Sequence, residues 1–188
     1  MTQLRKRVVT ALQQRRPSVA ERAARDWLVR QPGNADAQLL LQQALVEQGR
    51  VDAAIAHLRA SLTNTDAPVR VATALAHQLL AAGDDAAALT VLQQYRHNAA
   101  ANLEFQALLA AVFERTGDYP AAFDRYGYLV TQRPQQGAWW VGLAISSEAL
   151  GRRGDARAAY QTARSVENLD PALARYASER LAQLGDKQ

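Results

Sequence analysis

Residues 109–126 read LAAVFERTGDYPAAFDRY. Residues of the same or a similar type as four positions of this stretch recur along the chain every 34 residues. The first series consists of Gly49, Gly83, Gly117 and Gly151. The other three series are Ala20, Ala54, Ala88, Ala122 and Ala156; Leu41, Leu75, Leu109 and Leu143; and Leu58, Leu92, Tyr126 and Tyr160. Four series with the same period indicate an internal repeat of the helical-repeat kind, and five such repeats cover residues 1–170.

Each repeat has the pattern of two short amphipathic helices. Within residues 35–48, apolar residues recur at three- and four-residue steps, which is typical of a helix with one buried face. Gly49 predicts the end of that helix, because glycine adopts the left-handed conformation at little cost. Asp52 is expected to cap a second helix. The small side chain of Ala54 allows the two helices to approach closely.

The repeat resembles the tetratricopeptide repeat (TPR), a helix–turn–helix unit of the same length. The resemblance is clearest in the fifth repeat, where the family's positions are filled by Trp140, Leu143, Ala144, Ala156, Tyr160 and Ala163. It implies an all-α fold, a right-handed TPR superhelix of about five helix-turn-helix hairpins plus a C-terminal capping helix. The expected repeats lie near residues 1–34, 35–68, 69–102, 103–136 and 137–170. The first repeat is degenerate, because Arg7 and Arg15 replace the leucine and glycine of two series.

The remaining residues, 171–188, are expected to form a capping helix and a tail. Asp170-Pro171 predicts a helix start, since proline at the first helical position loses no hydrogen bond. Leu173, Ala177 and Leu181 follow at helical spacing. A helix with one apolar and one polar face is suited to cover the last hairpin of a repeat stack.

The composition excludes several kinds of function. The chain has no cysteine, which rules out disulfides, thiolate metal sites and a cysteine nucleophile. Its apolar runs are far shorter than the roughly 20 residues that cross a bilayer. The glycines of the repeats act as helix stops rather than as a phosphate-binding loop. The histidines, His57, His77 and His97, occupy different places in their repeats. We therefore expect no enzyme activity, no cofactor and no metal site.

The TPR resemblance implies a partner-binding groove lined by the first helix of each hairpin. It places the groove-facing side chains at the second, fifth, ninth and twelfth positions of a repeat. The candidate residues are Leu39, Gln43, Arg70, Thr73, His77, Glu104, Ala107, Ala111, Glu114, Val141 and Ile145, with Asp36 and Glu148 at further groove-facing positions. The lysine and asparagine with which chaperone-binding TPRs hold a C-terminal carboxylate are missing from the fifth and ninth positions.

This mixture of small, apolar and acidic residues predicts a protein partner, either an amphipathic helix or an extended apolar segment that carries basic residues. The function expected from it is that of a protein–protein interaction scaffold. An alternative interpretation is that the small residues only permit tight packing of the hairpins.

A second hypothesis concerns the N-terminal charge. Residues 1–30 hold eight Lys+Arg and two Asp+Glu, whereas residues 31–150 hold seven and eleven. The basic, amphipathic segment 1–16 is an alternative candidate for binding a membrane surface or nucleic acid. The simpler interpretation is the first helix of a repeat with a solvated basic face. Because the middle of the chain is mildly acidic, no nucleic-acid partner is expected along its length.

A closer resemblance involves residues 137–173. The stretches GAWWVGLA (137–144), EALG (148–151) and LDPAL (169–173) are similar to the end of the TPR proteins of MSHA-type (type IV) pilus biogenesis. This resemblance implies a partner in the pilus-assembly machinery. Those proteins carry a membrane-spanning helix ahead of their TPR region, and this chain has none. The implied location is periplasmic and inner-membrane-anchored if the chain is an excised part, and cytoplasmic if it is whole.

Overall fold

The computed structural model describes residues 3–167 and 169–185, and every regular element in them is an α-helix. The helices are α1 (Gln3–Gln13), α2 (Pro17–Arg30), α3 (Ala35–Glu47), α4 (Val51–Ser61), α5 (Pro68–Ala81), α6 (Asp85–Tyr95), α7 (Leu103–Arg115), α8 (Tyr119–Gln132), α9 (Gly137–Ala149), α10 (Arg153–Ser165) and α11 (Pro171–Gly185). None of these helices combines the length and the apolar character that a membrane span requires. The chain divides into two compact units, residues 1–98 and 99–188.

The first unit contains three helix hairpins, α1/α2, α3/α4 and α5/α6. The alanines of the repeat series, Ala20, Ala54 and Ala88, are completely buried, as expected where two helices approach closely. The predicted basic helix is part of this unit, because Val8, Ala11 and Leu12 of α1 are buried in a core shared with α2 and α3. The helix is therefore the first member of a hairpin; residues 1–2 of the predicted segment lie outside the described residues.

The second unit contains the hairpins α7/α8 and α9/α10, followed by α11. Ala122 and Ala156 are completely buried between their helices. Helix α11 packs against α10 and α9, and Ala177 is its one fully buried residue. The side chain of Asp170 caps α11 by accepting a hydrogen bond from the backbone N–H of Ala172 at 2.8 Å. Residues 186–188 of the predicted tail lie outside the described residues.

The turn inside each hairpin uses one residue with positive φ, which is the second residue after the end of the first helix. In four hairpins this residue is the glycine of the repeat series, with φ between 73° and 81°. In the first hairpin it is Arg15, with φ of 54°, the one positive-φ residue other than glycine in the described chain. The left-handed conformation costs a residue with a side chain about 1–2 kcal/mol. The degenerate first repeat therefore has the same turn conformation as the other repeats, but Arg15 adopts it at a cost in free energy.

The residue after the positive-φ position is the N-cap of the second helix, and in two of the five hairpins its side chain makes a capping hydrogen bond. Asp84 and Asp118 hold this place, and their side chains accept hydrogen bonds from the backbone N–H groups of Ala87 and Ala121. The prediction that Asp52 caps α4 is wrong. Helix α4 begins at Val51 with Arg50 as an N-cap that makes no side-chain hydrogen bond, so Asp52 lies inside the first turn.

One glycine sets the approach of two helices in the second unit. Gly142 of α9 lies against the aromatic ring of Tyr126 from α8, and a Cβ atom at position 142 would be 2.3 Å from Cζ of that ring. Atoms at this distance overlap, so no side chain fits at position 142 without a shift of the tyrosine ring. The absence of a side chain on Gly142 thus permits the burial of Tyr126, which is 6% exposed.

Candidate partner-binding surface

In the first unit, the candidate residues lie on α3 and α5, which pack side by side. Gln43, Arg70 and His77 are exposed, and Leu39 and Thr73 are half-buried. Arg70 donates a hydrogen bond to the Asp36 carboxylate at 2.8 Å, which links the second positions of two successive repeats. The structure therefore brings these five candidate residues onto two neighbouring first helices.

In the second unit, the candidate residues lie on α7 and α9, which also contact each other. Glu104 is exposed, whereas Ala107, Ala111, Glu114 and Ile145 are half-buried. Val141 differs from the prediction, because it is only 2% exposed and belongs to the core formed with α10 and α11. Its side chain packs inside the unit, so it offers almost no surface to a partner.

The acidic candidates differ in what they contact. Asp36 is paired with Arg70 and lies 3.5 Å from the guanidinium of Arg5. Glu104 accepts from Arg133 at 2.7 Å, and this hydrogen bond is the main reason that the pKa of its carboxyl lies below the usual value. Three of the acids that were expected to attract a basic partner, Asp36, Glu104 and Glu148, are in fact neutralised by arginines of the same chain.

Glu148 of α9 has the most complete set of contacts. Arg180 of α11 forms an ion pair with its carboxylate, and the Nε–Oε2 distance of this pair is 3.1 Å. The hydroxyl of Tyr160 from α10 donates to the same carboxylate at 3.3 Å. The Tyr160 ring packs edge-on against Tyr176 of α11, with 6.1 Å between the ring centroids.

Glu114 of α7 is different, since none of the described residues forms a salt bridge with it. The Tyr126 hydroxyl lies near its carboxylate and favours the charged form. Burial raises the pKa of the Glu114 carboxyl above the usual value, and the Tyr126 hydroxyl opposes this shift. Burial and the nearby carboxylate also raise the pKa of Tyr126. Within the described part of the chain, Glu114 is therefore a half-buried acid without a salt-bridge partner.

Two of the arginines that neutralise these acids, Arg133 and Arg180, are not among the predicted candidates. Arg133 directly follows α8 and Arg180 lies on the capping helix, so neither holds one of the four groove-facing positions. One pair could have been found from the sequence. Asp36 and Arg70 hold the same position in successive repeats and have opposite charges, which is a recognisable signal for a contact between those repeats.

Helix hairpins with a constant period, a buried alanine between the helices and a positive-φ turn define a helical repeat protein. In a comparison with family models, residues 5–67 match the tetratricopeptide repeat family. Residues 5–67 thus match this family by sequence, and the described chain has the tetratricopeptide repeat fold. A comparison with curated protein sequences gave no significant match.

Solved structures with the same fold include two of MamA and one of YrrB. A structure of MamA (AMB-1) is 22% identical, with a TM-score of 0.72, and the match covers 88% of this chain and 98% of that one. A second MamA structure is 17% identical, with a TM-score of 0.72 and coverages of 96% and 92%. YrrB, described as a TPR protein with an unusual peptide-binding site, is 14% identical, with a TM-score of 0.76 and coverages of 92% and 88%. These matches confirm the predicted all-α TPR fold.

Proposed function

We propose that the chain is a protein–protein interaction scaffold that binds a peptide or helical segment of a partner on the first helices of its hairpins. The observation that carries this proposal is the set of accessible side chains on neighbouring first helices, such as Leu39 and His77 in the first unit and Ala107 and Ile145 in the second. Small side chains on packed helices leave room for a partner's side chains. The peptide-binding site of YrrB, which shares this fold, supports the same use.

This proposal comes with three narrower ones that the sequence suggests. We propose a non-catalytic role for the chain. We also propose five repeats, the first near residues 1–34 and the last near residues 137–170, followed by a capping helix and tail at residues 171–188. A place in type IV or MSHA pilus biogenesis rests only on the sequence resemblance of residues 137–173. The alternative role for segment 1–16 is not favoured, since α1 buries its apolar face in the first unit and Arg5 contacts Asp36.

The experiment is a selection of random peptides displayed on phage against the whole chain, followed by affinity measurements on the selected peptides by fluorescence anisotropy. His77→Asp and Ile145→Asp place a charge on the proposed surface of the first and second unit. We expect one or both to weaken peptide binding about tenfold or more, because a carboxylate would have to be desolvated in the contact.

Matched controls place the same residue on second helices, at the exposed positions Gln94 of α6 and Tyr128 of α8. Gln94→Asp and Tyr128→Asp should leave the affinity unchanged, and far-UV circular dichroism should show unaltered helicity in all four variants. The proposal is wrong if no peptide is enriched on the wild-type chain. It is also wrong if the second-helix variants lose affinity and the first-helix variants do not.

A further inference from the structure

Two acids on the first helices of the second unit, Glu114 and Glu148, occupy equivalent places in successive repeats. Of the two, only Glu148 has a cationic partner among the described residues. Tyr126 and Tyr160, whose hydroxyls interact with these acids, are equivalent in the same way. The Glu148 site is completed by Arg180 of α11, which reaches back to the carboxylate of the preceding first helix. The pair of Glu148 and Tyr160 is therefore an example, within this chain, of an acid–tyrosine pair whose carboxylate binds a guanidinium, that of Arg180.

The helix that packs next to Glu114 does not provide the corresponding contacts. One repeat before Tyr176 and Arg180 of α11, the equivalent positions are Gly142 and Ser146 of α9. Gly142 lets the Tyr126 ring pack directly on the helix backbone. Ser146 is fully buried, and its hydroxyl has no hydrogen-bond partner. A serine is too short to act as Arg180 does, so position 146 of α9 does not give Glu114 the positive group that α11 gives Glu148.

A half-buried carboxylate without a countercharge costs stability. Removal from water disfavours the charged form, as the raised pKa of Glu114 indicates. The equivalent residue of the second repeat is the apolar Val46, which has no such cost. Groups that are kept in an unfavourable electrostatic environment are enriched at functional sites. Glu114 is half-buried rather than fully buried, so part of the residue remains accessible from outside.

We propose that Glu114 is a specificity-determining residue that binds an arginine of the partner segment, with the Tyr126 hydroxyl as the second contact of the carboxylate. This inference rests on the proposed peptide-binding function and adds the chemistry of the partner: the bound segment carries an arginine where it passes α7. A guanidinium suits the site because it can donate two parallel hydrogen bonds to a carboxylate, as Arg180 does with both oxygens of Glu148.

The test uses the same random peptide library with the wild-type chain and with Glu114→Lys. We expect the peptides selected on the wild-type chain to be enriched in arginine and those selected on Glu114→Lys to be enriched in aspartate and glutamate. The best wild-type peptide should bind Glu114→Gln about tenfold more weakly, since one charge-assisted contact is lost. Its affinity should also fall when its arginine is replaced by norleucine, which keeps an unbranched side chain without the charge.

The control variant is Asp124→Lys, which makes the same change in net charge on the exposed face of α8. It should select the same peptides as the wild-type chain. If peptides bind but show no preference for arginine, or if Glu114→Gln binds them as well as the wild type does, the inference is wrong and the scaffold proposal stands. If no peptide binds the wild-type chain, the scaffold proposal fails, and the inference fails with it.

Discussion

The first and fourth hairpins, α1/α2 and α7/α8, reach the same local backbone with different residues. Gly117 and Asp118 form the turn of the fourth hairpin, whereas Arg15 and Arg16 form the turn of the first. Both pairs of helices meet at a completely buried alanine, Ala122 or Ala20. The glycine and aspartate of the turn are therefore dispensable for this backbone, and we infer that packing between the helices holds the first hairpin without them.

The largest expected effect concerns the side chain that supports the first hairpin. At the place of the buried Tyr126, this hairpin has only Ala24, and Trp27, one turn later, is buried instead. Trp27→Ala should lower the free energy of unfolding by about 3–5 kcal/mol, because it leaves a large cavity. Urea denaturation followed by far-UV circular dichroism measures the loss. A loss below about 1 kcal/mol would contradict the view that packing holds this hairpin.

Overpacking at the buried alanine should lower the stability of both hairpins equally. Ala20→Leu and Ala122→Leu each insert a larger side chain where the helices are closest, and overpacking of this kind typically costs about 1–3 kcal/mol. Thermal unfolding of the two variants gives the comparison, with Ala138→Leu, at an exposed position of α9, as the control. If only Ala122→Leu lowers the melting temperature, the helices of the first hairpin do not depend on close contact at Ala20.

The turn residues should have smaller effects of opposite sign. Gly117→Ala forces a side chain into the left-handed conformation and should cost about 1–2 kcal/mol. Arg15→Gly relieves that strain in the first hairpin and should add about 0.5–1 kcal/mol, part of the gain being lost to the entropy of glycine in the unfolded chain. Denaturation midpoints of both variants check the signs. A destabilised Arg15→Gly would show that the arginine side chain makes a contribution larger than its backbone strain.

The smallest effect depends on pH. Glu114 occupies the place of the buried Leu12 of the first hairpin, and its pKa is raised in the folded chain. The Glu114 carboxyl therefore stays protonated to a higher pH in the folded chain than in the unfolded chain. As a result, the wild-type chain loses stability as the pH rises from the pKa of Glu114 in the unfolded chain through its pKa in the folded chain. Glu114→Gln should be more stable than the wild type at neutral pH, and the difference should vanish in acid. Melting temperatures across this range, with Glu179→Gln as the exposed control, test the sign.

The fold could be predicted from the sequence because its determinants are periodic. The glycine and alanine series mark the turns and the helix contacts, and the structure places them there. The cap of α4 could not be read correctly, since an aspartate three residues after Gly49 suits either the N-cap or the first helical turn. Only the observed start of the helix distinguishes these two positions.

The candidate surface could be predicted less well than the fold. The position of a residue in its repeat predicts which face of the helix it occupies but not which residues pack against it. Val141, for example, is buried because α9 joins a core with α10 and α11. The pairing of Glu148 with Arg180 depends on how the capping helix packs, which no spacing in the sequence specifies. For the same reason, only the packing of α9 shows that it places the short Ser146, and not an arginine, at the equivalent of Arg180.

The contact between Tyr126 and Gly142 has a consequence for the order of the repeats. A repeat with glycine at its sixth position can follow only a neighbour whose second helix presents a ring to fill the space above that glycine. Placed after the third repeat, where Leu92 stands at the equivalent of Tyr126, the fifth repeat would meet a shorter side chain and enclose a void. The fourth and fifth repeats are thus a matched pair, and in a shuffled or duplicated chain they would have to be moved together.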